Sequence, residues 1–127
     1  MVKTIKKEEI EQYCAMVNID SLGMAAPQAP ENLSSKLLVN RAAELAKQMK
    51  IPFSKVSVNG DADSSSFIGK KIPAITISAL GNGWEKILHS SKDQLSSVNQ
   101  VSVYVGYRLA LALVADLCDL PCSVSRK

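Results

Sequence analysis

Between Tyr13 and Asp20 the chain reads Tyr-Cys-Ala-Met-Val-Asn-Ile-Asp, a nearly continuous apolar run of strand length that ends on an acid. A strand with one wet face alternates apolar and polar residues. A run that is apolar almost throughout suits a strand buried on both faces, as in a sheet with helices above and below it. A second strand of the same kind is Ile72-Pro73-Ala74-Ile75-Thr76-Ile77-Ser78, rich in β-branched residues and with its proline at the start, where a missing N–H does least harm. Between them, Leu38, Ala42, Leu45 and Met49 recur at helical spacing, so residues 34–50 read as a helix capped by Asn32 or Ser34 and ended by Ile51-Pro52. Residues 4–12 read as a short amphipathic helix and residues 54–58 as a half-exposed strand. The stretch from Asn59 to Ser66 is polar. Phe67 and Ile68 turn back toward the core, and residues 80–91 read as a long loop. Val98, Val101, Val105, Leu109, Ala112 and Leu113 mark the buried face of a last helix that Asp93 or Ser96 would cap. The order α-β-α-β-β-α predicts an α/β fold, a layered mixed sheet with flanking helices.

The 127 residues amount to one domain, 1–127, and with only 5% aromatic residues its core must be aliphatic. The net charge of +3 is spread out apart from Lys3, Lys6 and Lys7. No basic stripe interleaved with aromatics is visible, so nucleic acid is not an expected partner. No run approaches the roughly 18 apolar residues of a membrane span. The N-terminus shows no apolar core of a signal peptide, so the chain as written is expected in the cytoplasm, with export of a longer parent left open. Of three cysteines, Cys14 reads as a small buried hydrophobe. Cys118 and Cys122, with Pro121 between them, would be thiols in a reducing compartment or a small disulfide loop in an oxidising one. Two thiols with no nearby histidine do not make a metal site.

Functional residues of α/β sheets gather at the carboxyl ends of strands. Asp20 sits at such an end, and His89, the chain's single histidine, lies in the loop after the 72–78 strand. Were these strands parallel neighbours, Asp20 and His89 would meet at one rim, with Asp63 close enough to join them. Carboxylate oxygen and imidazole nitrogen are ligands that zinc accepts. The plainer alternatives are a turn-capping aspartate and a solvated loop histidine.

Four segments, taken in order, resemble one family. Asn18-Ile19-Asp20-Ser21-Leu22-Gly23 is similar to the Asn-Leu-Asp-Met-Ile-Gly strand end of the M28 zinc aminopeptidases. Asp61 to Phe67 resembles that family's Ser-Asp-His-x-x-Phe, Lys71 to Ile77 its Gly-Ile-Pro-Ala strand, and Leu88 to Asp93 its Tyr-His-Thr-x-x-Asp. The resemblance covers residues 13–95. It implies the C-terminal half of a zinc-aminopeptidase-like (phosphorylase/hydrolase-like) fold and a parent that removes N-terminal residues from peptides with two zinc ions. It assigns Asp20 to one zinc and His89 to the other, puts Asp63 on the substrate-side wall, and sets Trp84 to Leu88 beside the substrate pocket. In the family, paired metals activate a bridging water and a glutamate takes its proton.

The chain departs from the family pattern in two ways. Ser64 stands where the family often has histidine. The family's His-x-Asp and Glu-Glu pair, which supply the bridging ligand and the base, have no match in the nineteen residues before Asp20, and Glu8-Glu9 reads as part of a solvated helix. The resemblance therefore implies no catalytic residue here, weak or absent zinc binding by this chain alone, and no activity in isolation. A half sheet would also expose an edge. The expected partners are accordingly a second copy or a complementary N-terminal half, with peptide as the parent's substrate. A non-catalytic interaction or self-assembly module on the same scaffold is the alternative.

Overall fold

The computed structural model describes residues 4–80 and 98–125. Helix α1 (Lys7–Ile10) is a single turn, shorter than the sequence suggests, and leads into strand β1 (Met16–Ile19). Strand β2 (Gln28–Pro30) and a 3₁₀ turn (Glu31–Leu33) precede helix α2 (Lys36–Gln48) and strand β3 (Ser54–Val56). Helix α3 (Asp63–Gly69), strand β4 (Ala74–Ile77), the long helix α4 (Gln100–Cys118) and the short α5 (Cys122–Ser125) complete the described chain.

The two apolar strands are parallel neighbours, as the rim argument requires. Met16 lies against Ala74 and Ile19 against Ile77. Strand β2 pairs in parallel with β3, and an antiparallel bridge joins Gln28 to Ser78, whose backbones exchange hydrogen bonds of 2.7 and 2.9 Å. The order across both pairs is thus β1-β4-β2-β3.

Alternation along β1 and β4 divides the molecule into layers. Val17, Ile75 and Ile77 face one way, into a core closed by Leu38, Val39, Ala42 and Ala46 of α2 and Leu109, Ala110 and Leu113 of α4. Ile75 and Ile77 are fully buried, each worth about 1.5–3 kcal/mol. Asn18 and Thr76 face the opposite way, toward α3. There the buried Ser64 hydroxyl lies 2.7 Å from the Thr76 hydroxyl and donates to the Leu33 carbonyl at 2.6 Å. The core is aliphatic, as so few aromatic residues require.

Several expectations are corrected. Strand β1 is half-buried rather than buried on both faces, and Ile19 is 47% exposed. The cause is its position. Met16 and Asp20 donate their N–H groups to β4, so those of Val17 and Ile19 point to the other side, where no described strand pairs. Strand β2 forms although Pro27 and Pro30 flank Gln28 and Ala29, because β3 and Ser78 supply its hydrogen bonds. Helix α3 forms in the polar segment because Ser64 finds buried partners, and Ile68 on it stays exposed. Ser34 and Ser35 accept from Thr76 and Ala74 N–H across the sheet instead of making a side-chain cap on α2.

The face of α4 also differs from the expected one. Ser102, Gly106, Leu109, Ala110 and Leu113 are buried, whereas Val98 and Val101 are exposed. Two small residues set this rotation. Ser102 accepts from Gly23 N–H and donates to the Ala25 carbonyl, and Gly106 admits Leu22 so closely that a Cβ there would lie 2.7 Å from its Cδ2. The cap is Asn99, whose side-chain oxygen accepts from Val101 and Ser102 N–H. Asp93 and Ser96 lie outside the described residues. By length and composition α4 could cross a membrane, yet it packs on the sheet and is tied to α2 by the Arg41–Asp116 ion pair at 2.6 Å.

The cysteines pair otherwise than expected. Cys14 is exposed, ahead of the first sheet pair, and forms a disulfide with Cys122 across 108 residues. Cys118 is the free, exposed thiol. The long helix explains the pairing. It starts beside Gly23 at the carboxyl end of β1 and runs back along the strand, which brings Cys122 to where β1 begins.

Candidate active-site rim

Asp20 follows β1 directly, and its N–H donates to the Ile77 carbonyl at 3.0 Å, which fixes it at the carboxyl end of the parallel pair. The chain then turns sharply. Ser21 adopts φ +57° in the left-handed region, uncommon for a residue with a side chain. Its hydroxyl donates to the Asp20 carboxylate at 3.1 Å, and its carbonyl accepts from Ala79 N–H at 3.2 Å. Met24 N–H donates to the Ala79 carbonyl at 2.9 Å. The turn after Asp20 is thereby laced to the chain leaving β4.

These elements border a cleft of about 120 Å³. Asp20, Ser21, Asn59, Asp61, Thr76 and Leu80 are among the residues that line it. The Asp20 side chain is exposed, open to an incoming ligand. Asp63 is the first residue of α3 and exposed, and Asp61, two residues before it, lines the cleft. The sequence signal for Asp61 was its membership of the same polar segment.

His89, Trp84 and Leu88 lie outside the described residues. The residues flanking their segment do not. Leu80 lines the cleft, and Asn99 donates to the Gly23 carbonyl at 2.7 Å, three residues beyond Asp20. Leu80 and Asn99, described residues on either side of that segment, thus both lie close to the turn that follows Asp20.

Among the described residues no three His, Cys, Asp or Glu side chains converge on a common point. Catalytic zinc takes three protein ligands. The described carboxylates that line this cleft, Asp20 and Asp61, do not amount to a zinc site by themselves.

No family model matches the chain, and no curated sequence does. Solved structures do. The Legionella LapA superposes on 94% of this chain with a TM-score of 0.78 at 19% identity. BSAP, a zinc aminopeptidase from Bacillus subtilis, superposes on 96% with a TM-score of 0.73 at 14% identity. Likeness at such identities establishes the fold: the domain is zinc-aminopeptidase-like in architecture. The chain spans about a third of the length of either structure, 36% and 33%.

Proposed function

We propose that this chain is the C-terminal portion of an M28-type zinc aminopeptidase, that Asp20 and His89 are its contribution to a metal site, and that it does not hydrolyse peptides alone. The observation that supports this reading is the position of Asp20 at the carboxyl end of the parallel β1–β4 pair, in a chain whose fold is zinc-aminopeptidase-like. The ligands and base that the 127 residues do not supply come from further polypeptide, and zinc held by the two residues alone is weakly bound. Asp61 and Asp63 then belong to the substrate side, with Trp84 and Leu88.

Two features support the need for further polypeptide. The outer edge of β1 leaves the N–H groups of Val17 and Ile19 unpaired among the described residues, an invitation to another strand. Tyr104, Tyr107, Leu111 and Val114 form an exposed apolar stripe at helical spacing on α4. A complementary N-terminal half or a second copy satisfies both. The Cys14–Cys122 bond supports an oxidising compartment, and so export of the parent, over the cytoplasm.

The test is hydrolysis of an aminoacyl-nitroanilide by the isolated chain. No turnover is expected. Turnover abolished by a chelator and by His89→Ala would overturn the claim of inactivity. The second reading, a non-catalytic interaction module, is favoured by the lack of a three-ligand cluster among the described residues. It predicts thermal stability that zinc leaves unchanged at any concentration.

A further inference from the structure

The three cysteines form a chemically complete set at one end of the molecule, independent of the proposed peptidase function. Cys122 opens α5 and is bonded to Cys14, two residues ahead of β1. Cys118 closes α4 as an exposed free thiol, and only Asp119, Leu120 and Pro121 separate it from Cys122. One sulfur, that of Cys122, thus has two thiol partners: one 108 residues away and joined to it, the other four residues away and free. The three intervening residues turn tightly, with Asp119 and Leu120 N–H donating back to Asp116 and Leu117 carbonyls and Val124 N–H to Pro121. Such a short tether holds the Cys118 thiol at high effective concentration near the bond. Helix α5 is a single turn, the kind of element that opens locally at little cost.

We propose that Cys118 makes this disulfide an internal thiol–disulfide switch. The Cys118 thiol loses its proton to solvent, and the thiolate attacks Sγ of Cys122. The Cys118–Cys122 bond forms, the Cys14–Cys122 bond breaks, and Cys14 leaves as a thiolate that takes a proton from solvent. One disulfide replaces another, so no oxidant or reductant is consumed. In the first state the segment leading into β1 is stapled to α5. In the second that segment is released, and an exposed thiol stands beside the open edge of β1. The turn at 119–121 is the part that must move, because a disulfide needs its Cα atoms within about 7 Å.

The test is disulfide mapping of the intact protein. Samples held at mildly alkaline pH without reductant are acid-quenched, alkylated and digested without reduction. Two bridged products are expected in the wild type, Cys14–Cys122 with Cys118 alkylated and Cys118–Cys122 with Cys14 alkylated. Cys118→Ser, a change at an exposed position, is expected to retain only Cys14–Cys122. Cys14→Ser treated with glutathione disulfide is expected to form Cys118–Cys122. A wild type that yields only Cys14–Cys122 would overturn the switch. So would a Cys14→Ser protein that yields only glutathionylated or intermolecularly bridged Cys118.

Discussion

The N–H of Asp20 donates to the carbonyl of Ile77 at 3.0 Å, and this one backbone bond joins the carboxyl ends of β1 and β4. It sets the acid after one strand beside the chain that leaves the other. Everything proposed for the site depends on that register, because a slip of one residue would turn every side chain of β1 to the opposite face.

Ser64 is the buried link between α3, β4 and the turn before α2. Replacing it with alanine removes the donor to the Leu33 carbonyl and one of the two partners of the Thr76 hydroxyl, which keeps the Asn18 side-chain amide. The expected loss is about 1–3 kcal/mol of stability, read from the midpoint of urea unfolding.

Gly106 is the point where α4 comes closest to the turn after Asp20. A methyl group there would lie 2.7 Å from Leu22 Cδ2, so Gly106→Ala is expected to cost about 1–3 kcal/mol through overpacking. The double variant Gly106→Ala/Leu22→Ala should recover part of that loss. Strict additivity in a double-mutant cycle would contradict the contact.

Reduction of the Cys14–Cys122 bond releases a loop of 108 residues in the unfolded chain. A phosphine reductant is expected to lower stability by about 2–5 kcal/mol, with a matching fall in melting temperature. The same reductant should leave a Cys14→Ser protein far less affected.

The open edge of β1 and the apolar stripe on α4 predict self-association of the isolated chain. Analytical ultracentrifugation over a wide concentration range is expected to show species above the monomer. Replacing Tyr104 and Leu111 with glutamate should shift the population toward monomer, since both side chains are more than half exposed and contribute little to the fold. A monomer at every concentration would contradict the prediction.

What the sequence reveals and what it hides follow from the range of the interactions. The buried run of β4 and the apolar face of α2 are local patterns, so Ile75, Ile77, Leu38 and Ala42 are legible as core directly. The position of Asp20 is legible for the same reason. Helix α3 is not, because Ser64 owes its place to Leu33 and Thr76, and no local periodicity carries that information. The rotation of α4 is hidden likewise. Valines at helical spacing suggest one face, but the hydrogen bonds of Ser102 and the gap above Gly106 select another. The Cys14–Cys122 pair depends on the length and direction of α4, which bring together residues far apart in sequence.

The most direct test of the central claim is a zinc titration of the isolated chain followed by NMR, in which the single histidine gives unambiguous ring signals. The account predicts that the His89 ring and the Ser21 amide shift together, at zinc concentrations well above those that fill a three-ligand site, and that Asp20→Ala abolishes both shifts. A His89 ring that responds to zinc while Ser21 stays unmoved, or that responds equally in Asp20→Ala, would contradict it.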